Sequence, residues 1–226
     1  MTEKARKLTT WSFSSWEAYD QCPFKVKCKR IDGLKEPENK YMARGTKVHQ
    51  CAQNFVERKQ RTLANELISF SKQLKVLRST KDTACEIEWG FTKKWEPCAW
   101  NDKKVWCRVK TDVTTSPKSK NPAGLHIIDY KTGKIYTEKH AKQGGLYALG
   151  GFLMFPEVEV ITTQFWYVDH AHTTSETYHR AEVPEIKRVW EDRVRPMLND
   201  TQFPAKPNQY CGTCHFRKAN GGPCVF

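Results

Sequence analysis

The chain has 226 residues, enough for one domain with a substantial core, and 38% of them are apolar. It contains neither a run of 18 or more apolar residues nor an N-terminal secretory pattern, so we expect no membrane span and no secretion. A formal net charge of +13 favours a polyanionic partner, and the alternative is a generally basic surface without one.

Cysteine usage indicates a reducing compartment. The chain has nine cysteines, an odd number, and a framework of disulfides is not expected without a secretory signal. Reduced thiols fit a cytoplasmic protein, or the host cytoplasm if the source is a virus. Some of these thiols are candidates for binding metal.

Hydrophobic periodicity alternates between helical and strand-like along the chain. A capping-box pattern at residues 14–17 opens the first helix, which Pro23 ends directly after Cys22. After a basic arm at 1–10, the sequence predicts helices at 14–22, from 41 onward, 63–77, 138–155 and 184–198, and strands at 85–91, 105–112, 125–131, 158–168 and 176–183. Residues 117–124 are expected to form a turn, and the last 26 residues have no regular period.

The three consecutive strands at 85–91, 105–112 and 125–131 predict an antiparallel meander. The third strand carries Asp129 and Lys131, which point to the same face because side chains alternate along a strand. A carboxylate that can hold a metal thus lies beside an amine that can orient a water. A charged pair on a solvated strand face is the alternative explanation.

Other polar residues can join this pair if the helix and strand faces meet. They are His49 on the long helix, Asp112, and Glu86 or Glu88 of the first strand. Carboxylates suit magnesium, and one imidazole widens the choice to manganese. Such an ion could neutralise a phosphodiester and activate a water. Taken singly, each residue could also be an ordinary surface side chain.

The joint order of these residues resembles a known family. Arg44-Gly45-x-x-x-His49, then Asp112, Asp129-Tyr130-Lys131 and Gln143-x-x-x-Tyr147 are similar to the PD-(D/E)XK nuclease superfamily, in particular its RecB and AddB type. Small CRISPR-associated exonucleases and related phage exonucleases share that nuclease domain. The resemblance runs from about Ser12 to the C-terminal residue.

The resemblance implies a role for each matching position. His49, Asp112, Asp129 and the backbone carbonyl of Tyr130 would bind Mg²⁺ or Mn²⁺, and Lys131 would be catalytic. Glu86, chosen over Glu88, would approach the metal from the first strand. The DNA-binding residues would be Arg44, Gln143 and Tyr147, the last two being one helical turn apart.

Cysteines at the two ends form a second candidate site. Cys211 and Cys214 form a C-x-x-C turn, Cys224 follows after nine residues, and Cys22 is the natural fourth ligand. This split resembles the [4Fe-4S] clasp of the AddB and CRISPR-associated relatives, although the last spacing is longer here. A structural Zn²⁺ site, substitution by His215, and unligated thiols are the alternatives. We read Cys28, Cys51, Cys85, Cys98 and Cys107 as small apolar residues.

These observations predict an α/β (α+β) fold with a central mixed β-sheet flanked by helices. We expect one RecB-like nuclease domain over 1–226, with its core at about 41–183 and a cysteine clasp formed by 12–30 and 200–226. The expected function is metal-dependent DNA exonuclease, favouring single-stranded or frayed ends, in phage recombination or DNA processing. The alternatives are trimming of spacer precursors in CRISPR adaptation, with a protein partner from either pathway, and a non-catalytic DNA-binding module.

Overall fold

The structure is a computed structural model that describes residues 7–116 and 124–226. The expected turn at 117–124 and the first part of the expected basic arm lie mostly outside the described residues. The α-helices are α1 (Phe13–Gln21), α2 (Pro23–Val26), α3 (Lys40–Val56), α4 (Ser71–Ser79), α5 (Thr137–Met154) and α6 (Val183–Asn199). The strands are β1 (Trp11–Ser12), β2 (Thr83–Phe91), β3 (Pro97–Cys98), β4 (Cys107–Thr115), β5 (Leu125–Lys131), β6 (Val160–Tyr167) and β7 (His172–His179).

The described strands form one mixed sheet in the order β3-β2-β4-β5-β6-β7, and β1 pairs with β4. The neighbours β2, β4 and β5 are antiparallel, as the predicted meander requires. After β5 the chain crosses through α5 and returns as β6, which is parallel to β5. The central mixed sheet flanked by helices confirms the predicted fold class.

Two hydrophobic clusters cover the sheet. The larger one joins α1, α5 and α6 to the sheet around buried tryptophans such as Trp11 and Trp190, whose rings stack at 5.5 Å. The second cluster joins α3 and α4 to the other side of β5, where Ile128 and Tyr130 are buried. Helix α3 therefore approaches the sheet from one side and α5 from the other.

The pleat of β4 inverts near Asp112. Val109 packs in the cluster of α5, whereas Val113, four residues later, packs in that of α3. The hydroxyls of Thr111 and Thr114 lie 3.0 Å apart, so residues three positions apart share a face. Regular alternation would place residues two apart on one face. Glu86, opposite Asp112 on β2, has a positive φ of 54° and marks the same irregularity.

Several predicted boundaries were wrong. The capping box belongs to Ser12, whose side chain accepts from the Ser15 N–H, because the chain leaves β1 in an extended conformation there. The stretch expected as a helix at 63–77 divides into a 3₁₀ helix at Asn65–Phe70 and α4. Strand β7 runs over His172–His179 rather than 176–183. It is an edge strand with mostly exposed polar side chains, and it therefore lacks the alternation that would reveal it.

Candidate metal centre and cysteine cavity

Three acidic side chains occupy one row across neighbouring strands. The register that pairs Cys85 with Val113 and Val113 with Ile128 places Glu86 opposite Asp112, and Asp112 opposite Asp129. The row lies where the pleat inverts and where β4 stops pairing with β5. Strands that are distant in the chain thus bring these carboxylates together.

Helix α3 adds an imidazole to this row. His49 Nδ1 lies 3.2 Å from Asp112 Oδ1. Ligand atoms of His49, Glu86 and Asp112 all lie within 4.8 Å of one another, which is the only such group of three in the described ranges. Glu88 is exposed and lies outside this group, whereas Glu86 belongs to it.

The charges in this group influence one another strongly. Burial would lower the pKa of His49, but the hydrogen bond and negative charge of Asp112 outweigh it and raise the pKa to about 9. Burial, together with the charge of Asp129, raises the pKa of Asp112. Carboxylates crowded in this way have a strong electrostatic reason to bind a cation.

Asp129 and Lys131 form the predicted pair beside this group. Lys131 Nζ lies 2.6 Å from Asp129 Oδ2 and donates a hydrogen bond to Gln143 Oε1 at 2.9 Å. Asp129 is buried, and its Oδ2 contacts the Lys131 ammonium. The ammonium is therefore held at the inner edge of the site by Asp129 and Gln143.

Helix α5 supports Asp129 from behind. The Tyr147 hydroxyl donates to Asp129 Oδ1 at 2.6 Å, and Gln143 Nε2 donates to the same hydroxyl oxygen at 2.6 Å. Tyr147, expected to contact DNA, is only 4% exposed, and its hydroxyl faces Asp129 rather than the surface. The helical spacing correctly placed Gln143 and Tyr147 on one face, but that face turns toward the carboxylate.

The main chain of Tyr130 faces the gap between β4 and β5. Its N–H donates to Asp112 Oδ2 at 2.7 Å instead of to a strand partner. The N–H and C=O of one strand residue point to the same side, so the carbonyl of Tyr130 is also directed toward the carboxylate row.

Sequence reasoning missed Asp169, which follows β6. Its carboxylate accepts two hydrogen bonds from Arg44, at 2.8 and 2.5 Å, and one from the Gly133 N–H at 2.7 Å. Arg44 holds the pKa of Asp169 at about 2. The guanidinium expected to meet DNA is therefore occupied by Asp169, and together they hold the turn that follows Lys131. The sequence signal that could have identified Asp169 is its position as an acidic residue just after β6, the strand parallel to β5.

The sequence model of the PD-(D/E)XK nuclease superfamily matches residues 10–219, nearly the whole chain. The chain belongs to the PD-(D/E)XK nuclease superfamily. None of the curated proteins matches it.

Three solved structures are similar to this chain at low sequence identity. SSO0001 is 14% identical over 95% of this chain and 86% of its own, with a TM-score of 0.42. A protein from Eubacterium rectale is 11% identical, covering 94% and 87% of the two chains, with a TM-score of 0.47. LHK-Exo, crystallised with dAMP, is 10% identical over 87% and 91%, with a TM-score of 0.44.

The donor set of this PD-(D/E)XK site fits a divalent ion. Carboxylate oxygens and one imidazole are ligands for magnesium or manganese, and crowded carboxylates gain most from such a charge. Nucleases of this superfamily are metal-dependent hydrolases. No helix in the described parts of the chain is both long and apolar enough to cross a membrane.

The cysteine end of the nuclease forms a separate cavity of about 450 Å³. Cys22, Cys211, Cys214 and Cys224 all line it, and the Asn208 N–H donates to Cys211 Sγ at 3.3 Å. The four sulfurs do not form a group as compact as that around Asp112. All four nevertheless line one concave surface.

Contacts that need no metal also join the two ends of the chain. Tyr19 donates to Asp200 at 2.7 Å, and Lys206 donates to the main-chain oxygen of Asp20 at 2.8 Å. Of the cysteines assigned to packing, Cys28 and Cys107 are fully buried, and burial raises the pKa of Cys28 to about 11. Thiols with such a raised pKa remain protonated and behave as apolar groups.

Proposed function

We propose that this protein is a Mg²⁺- or Mn²⁺-dependent deoxyribonuclease that hydrolyses phosphodiester bonds from DNA ends. One observation carries the proposal: His49, Glu86 and Asp112 converge at ligand distance while Lys131 is fixed beside them by Asp129. A bound divalent ion would neutralise the phosphate and lower the pKa of a water. The net charge of +13 supports a polyanionic substrate.

The remaining roles, holding the ion and binding the water or phosphate, belong to side chains and one carbonyl of the protein. His49, Glu86, Asp112, Asp129 and the Tyr130 carbonyl would hold the ion. Lys131, with 20% of its side chain exposed, would donate a hydrogen bond to the attacking water or to a phosphate oxygen. Gln143 fixes the Lys131 ammonium at 2.9 Å.

The test is digestion of end-labelled single-stranded and double-stranded DNA in Mg²⁺ and in Mn²⁺. Stepwise shortening from an end supports an exonuclease, whereas internal fragments would exclude that part of the proposal. Lys131→Ala should abolish digestion while the circular dichroism spectrum stays unchanged. Lys134→Ala, an exposed lysine three residues along, is the matched control and should digest normally. Phage recombination and CRISPR adaptation are settings implied only by the resemblance, and neighbouring genes would distinguish them.

For the second site we propose a [4Fe-4S] cluster held by Cys22, Cys211, Cys214 and Cys224. In such a cluster each cysteine binds a different iron, so its sulfurs need not converge on one point, in agreement with their wider arrangement. A single zinc ion would need all four at one centre. Metal analysis and the visible spectrum of anaerobically purified protein decide between them. Iron with absorbance that is lost in Cys211→Ala supports the cluster, and stoichiometric zinc without colour refutes it.

A further inference from the structure

The cavity at the cysteine end contains more than cysteines. Ring side chains also line its 450 Å³, and we call it the aromatic cavity for these residues: Phe24, Tyr41, Tyr210, Phe216 and Phe226. Its volume lies in the range of roughly 300–1,000 Å³ typical of sites that bind small molecules. The metal group proposed for the four cysteines would fill part of this volume, so the surface left for a ligand is the part lined by the exposed rings.

The metal group proposed for the four cysteines does not explain why aromatic side chains of this cavity are exposed. Four thiolates complete the coordination of a zinc ion or of a cluster. Tyr41 is nevertheless 72% exposed, and Tyr210 and Phe226 are 48% and 52% exposed. Exposed aromatic side chains gathered in one concave surface are typical of recognition sites.

The charges around the aromatic cavity suit an anion. Lys25, Lys206 and Arg217 line it, and Glu36 is the one acidic side chain among the described lining residues. Arg217 donates to the main-chain oxygen of Phe226 at 3.2 Å. Glu36 is neutralised by Lys25 at 2.9 Å and by Lys29 at 2.8 Å. Lys206 donates a hydrogen bond to a neutral main-chain oxygen, and this contact does not neutralise the positive charge of the lysine.

Helix α3 links the aromatic cavity to the metal centre. Tyr41, Gly45 and His49 are spaced four residues apart and so follow one side of the helix. Tyr41 lies about 12 Å along the axis from His49 at a rise of 1.5 Å per residue. Between them, a Cβ at Gly45 would lie 3.3 Å from Thr132 Oγ1, in the turn after Lys131. A few nucleotides of an extended strand span this distance.

We propose that the aromatic cavity binds a base of single-stranded DNA whose phosphodiester lies at the metal centre. The proposal rests on the proposed nuclease function. The base stacks on Tyr41 and Tyr210, and Lys206 contacts the flanking phosphate. Stacking tolerates every base, because each has a π face, so the cavity confers preference for single strands without sequence specificity.

The test measures affinity of a fluorescently labelled thymidine oligonucleotide for full-length protein in the Asp129→Ala background, where the strand is not consumed. Adding Tyr41→Ala should weaken binding about 5- to 100-fold. Adding Tyr41→Phe should retain affinity, because the ring remains. Met42→Ala is the matched control: Met42 is the next residue on α3, is 48% exposed and does not line the cavity. It should bind like the parent.

Hydrolysis of a small chromogenic phosphodiester by proteins with intact Asp129 separates the cavity from the metal centre. Tyr41→Ala alone should leave this hydrolysis unchanged. Unchanged oligonucleotide affinity in Tyr41→Ala would overturn the proposal. Loss of bound iron or zinc together with the affinity would also overturn it, because the Tyr41 ring would then be needed for metal binding and not for the base. Failure of the otherwise unaltered protein to hydrolyse DNA or the small diester would instead refute the proposed nuclease function, whatever the binding results.

Discussion

Asp112 accepts the main-chain N–H of Tyr130 at 2.7 Å across the point where β4 and β5 stop pairing. The same carboxylate holds His49 at 3.2 Å through its other oxygen. Asp112 therefore closes the end of the strand ladder and joins α3 to the sheet. Asp112 thus contributes both to the fold around the site and to the proposed metal binding.

Replacement of this carboxylate tests its charge. Asp112→Asn keeps an oxygen that can accept the Tyr130 N–H, so the protein should fold, but it removes an anionic ligand. We expect DNA cleavage to fall about 10²- to 10³-fold, because the metal contributes several kcal/mol to transition-state stabilisation. Initial rates over a range of Mn²⁺ concentrations measure the loss. Wild-type rates from a folded variant would show that Asp112 is not a ligand.

Glu86 and Glu88 provide a matched comparison. Both contact Lys110, at 2.7 and 3.7 Å, but only Glu86 belongs to the group around Asp112. Glu86→Gln should weaken apparent Mn²⁺ affinity about 10- to 100-fold, whereas Glu88→Gln should have little effect. Metal titration of the cleavage rate distinguishes them. Equal effects of the two substitutions would indicate that both glutamates act through their shared contact with Lys110.

Tyr147→Phe tests the support behind Asp129. The variant loses the hydroxyl that donates to Asp129 at 2.6 Å and leaves a buried oxygen without that donor. We expect a loss of about 1–3 kcal/mol in the free energy of unfolding, measured by urea denaturation of metal-free protein. Tyr210→Phe, at a residue that is 48% exposed, should leave the free energy unchanged. A stable Tyr147→Phe variant with full activity would contradict the supporting role.

The Arg44–Asp169 ion pair should act on Lys131 through the turn at Gly133. Asp169→Asn weakens both the contact with Arg44 and the bond from Gly133, so the lysine is held less firmly. We expect kcat to fall about tenfold with bound metal unchanged, since misplacement of about 1 Å can cost up to about 100-fold. A double-mutant cycle with Arg44→Gln should be strongly non-additive. Additive effects would indicate that Arg44 acts independently, for example on DNA.

Metal binding should depend on pH through His49. Its pKa of about 9 in the metal-free protein means that a proton must leave before the imidazole can bind metal. Apparent Mn²⁺ affinity should therefore rise by up to tenfold per pH unit and level off near pH 9. Burial lowers the pKa of the nearby His140 to about 4, so that histidine stays neutral in this range.

Calorimetric titration at several pH values measures this dependence, and His49→Gln should flatten it.

The same raised pKa of His49 makes a prediction for the stability of the metal-free protein. The charged His49–Asp112 pair contributes its full stability below the unfolded pKa of about 6.5. That contribution is lost as the pH rises from about 6.5 to about 9. A wild-type affinity that does not vary with pH would remove His49 from the ligand set.

Much of the site follows from the sequence because strands and helices have fixed periods. The period of two placed Asp129 and Lys131 on one face, and the meander brought β4 beside β5. The choice between Glu86 and Glu88 could not be made from periodicity, since both residues share a face in a regular strand. The positive φ of Glu86 and the inverted pleat break that regularity locally.

Other features depend on contacts that no local pattern encodes. The partnership of Arg44 with Asp169 joins residues 125 positions apart, and neither flanking sequence indicates the other. Likewise, helical spacing gave the common face of Gln143 and Tyr147 but not its direction. That direction depends on how α5 packs against β6 and the rest of the sheet, which only the assembled core determines.

The close approach at Gly45 determines how near α3 can lie to the turn that follows Lys131. An added Cβ there would lie 3.3 Å from Thr132 Oγ1, so even alanine would require a shift of a few tenths of an ångström. Bonds from oxygen to calcium exceed those to magnesium by about the same amount. Side-chain size at position 45 would thus adjust how near the imidazole of α3 comes to the carboxylates. In the proposed site, selectivity among magnesium, manganese and calcium would then depend on a residue that touches none of them.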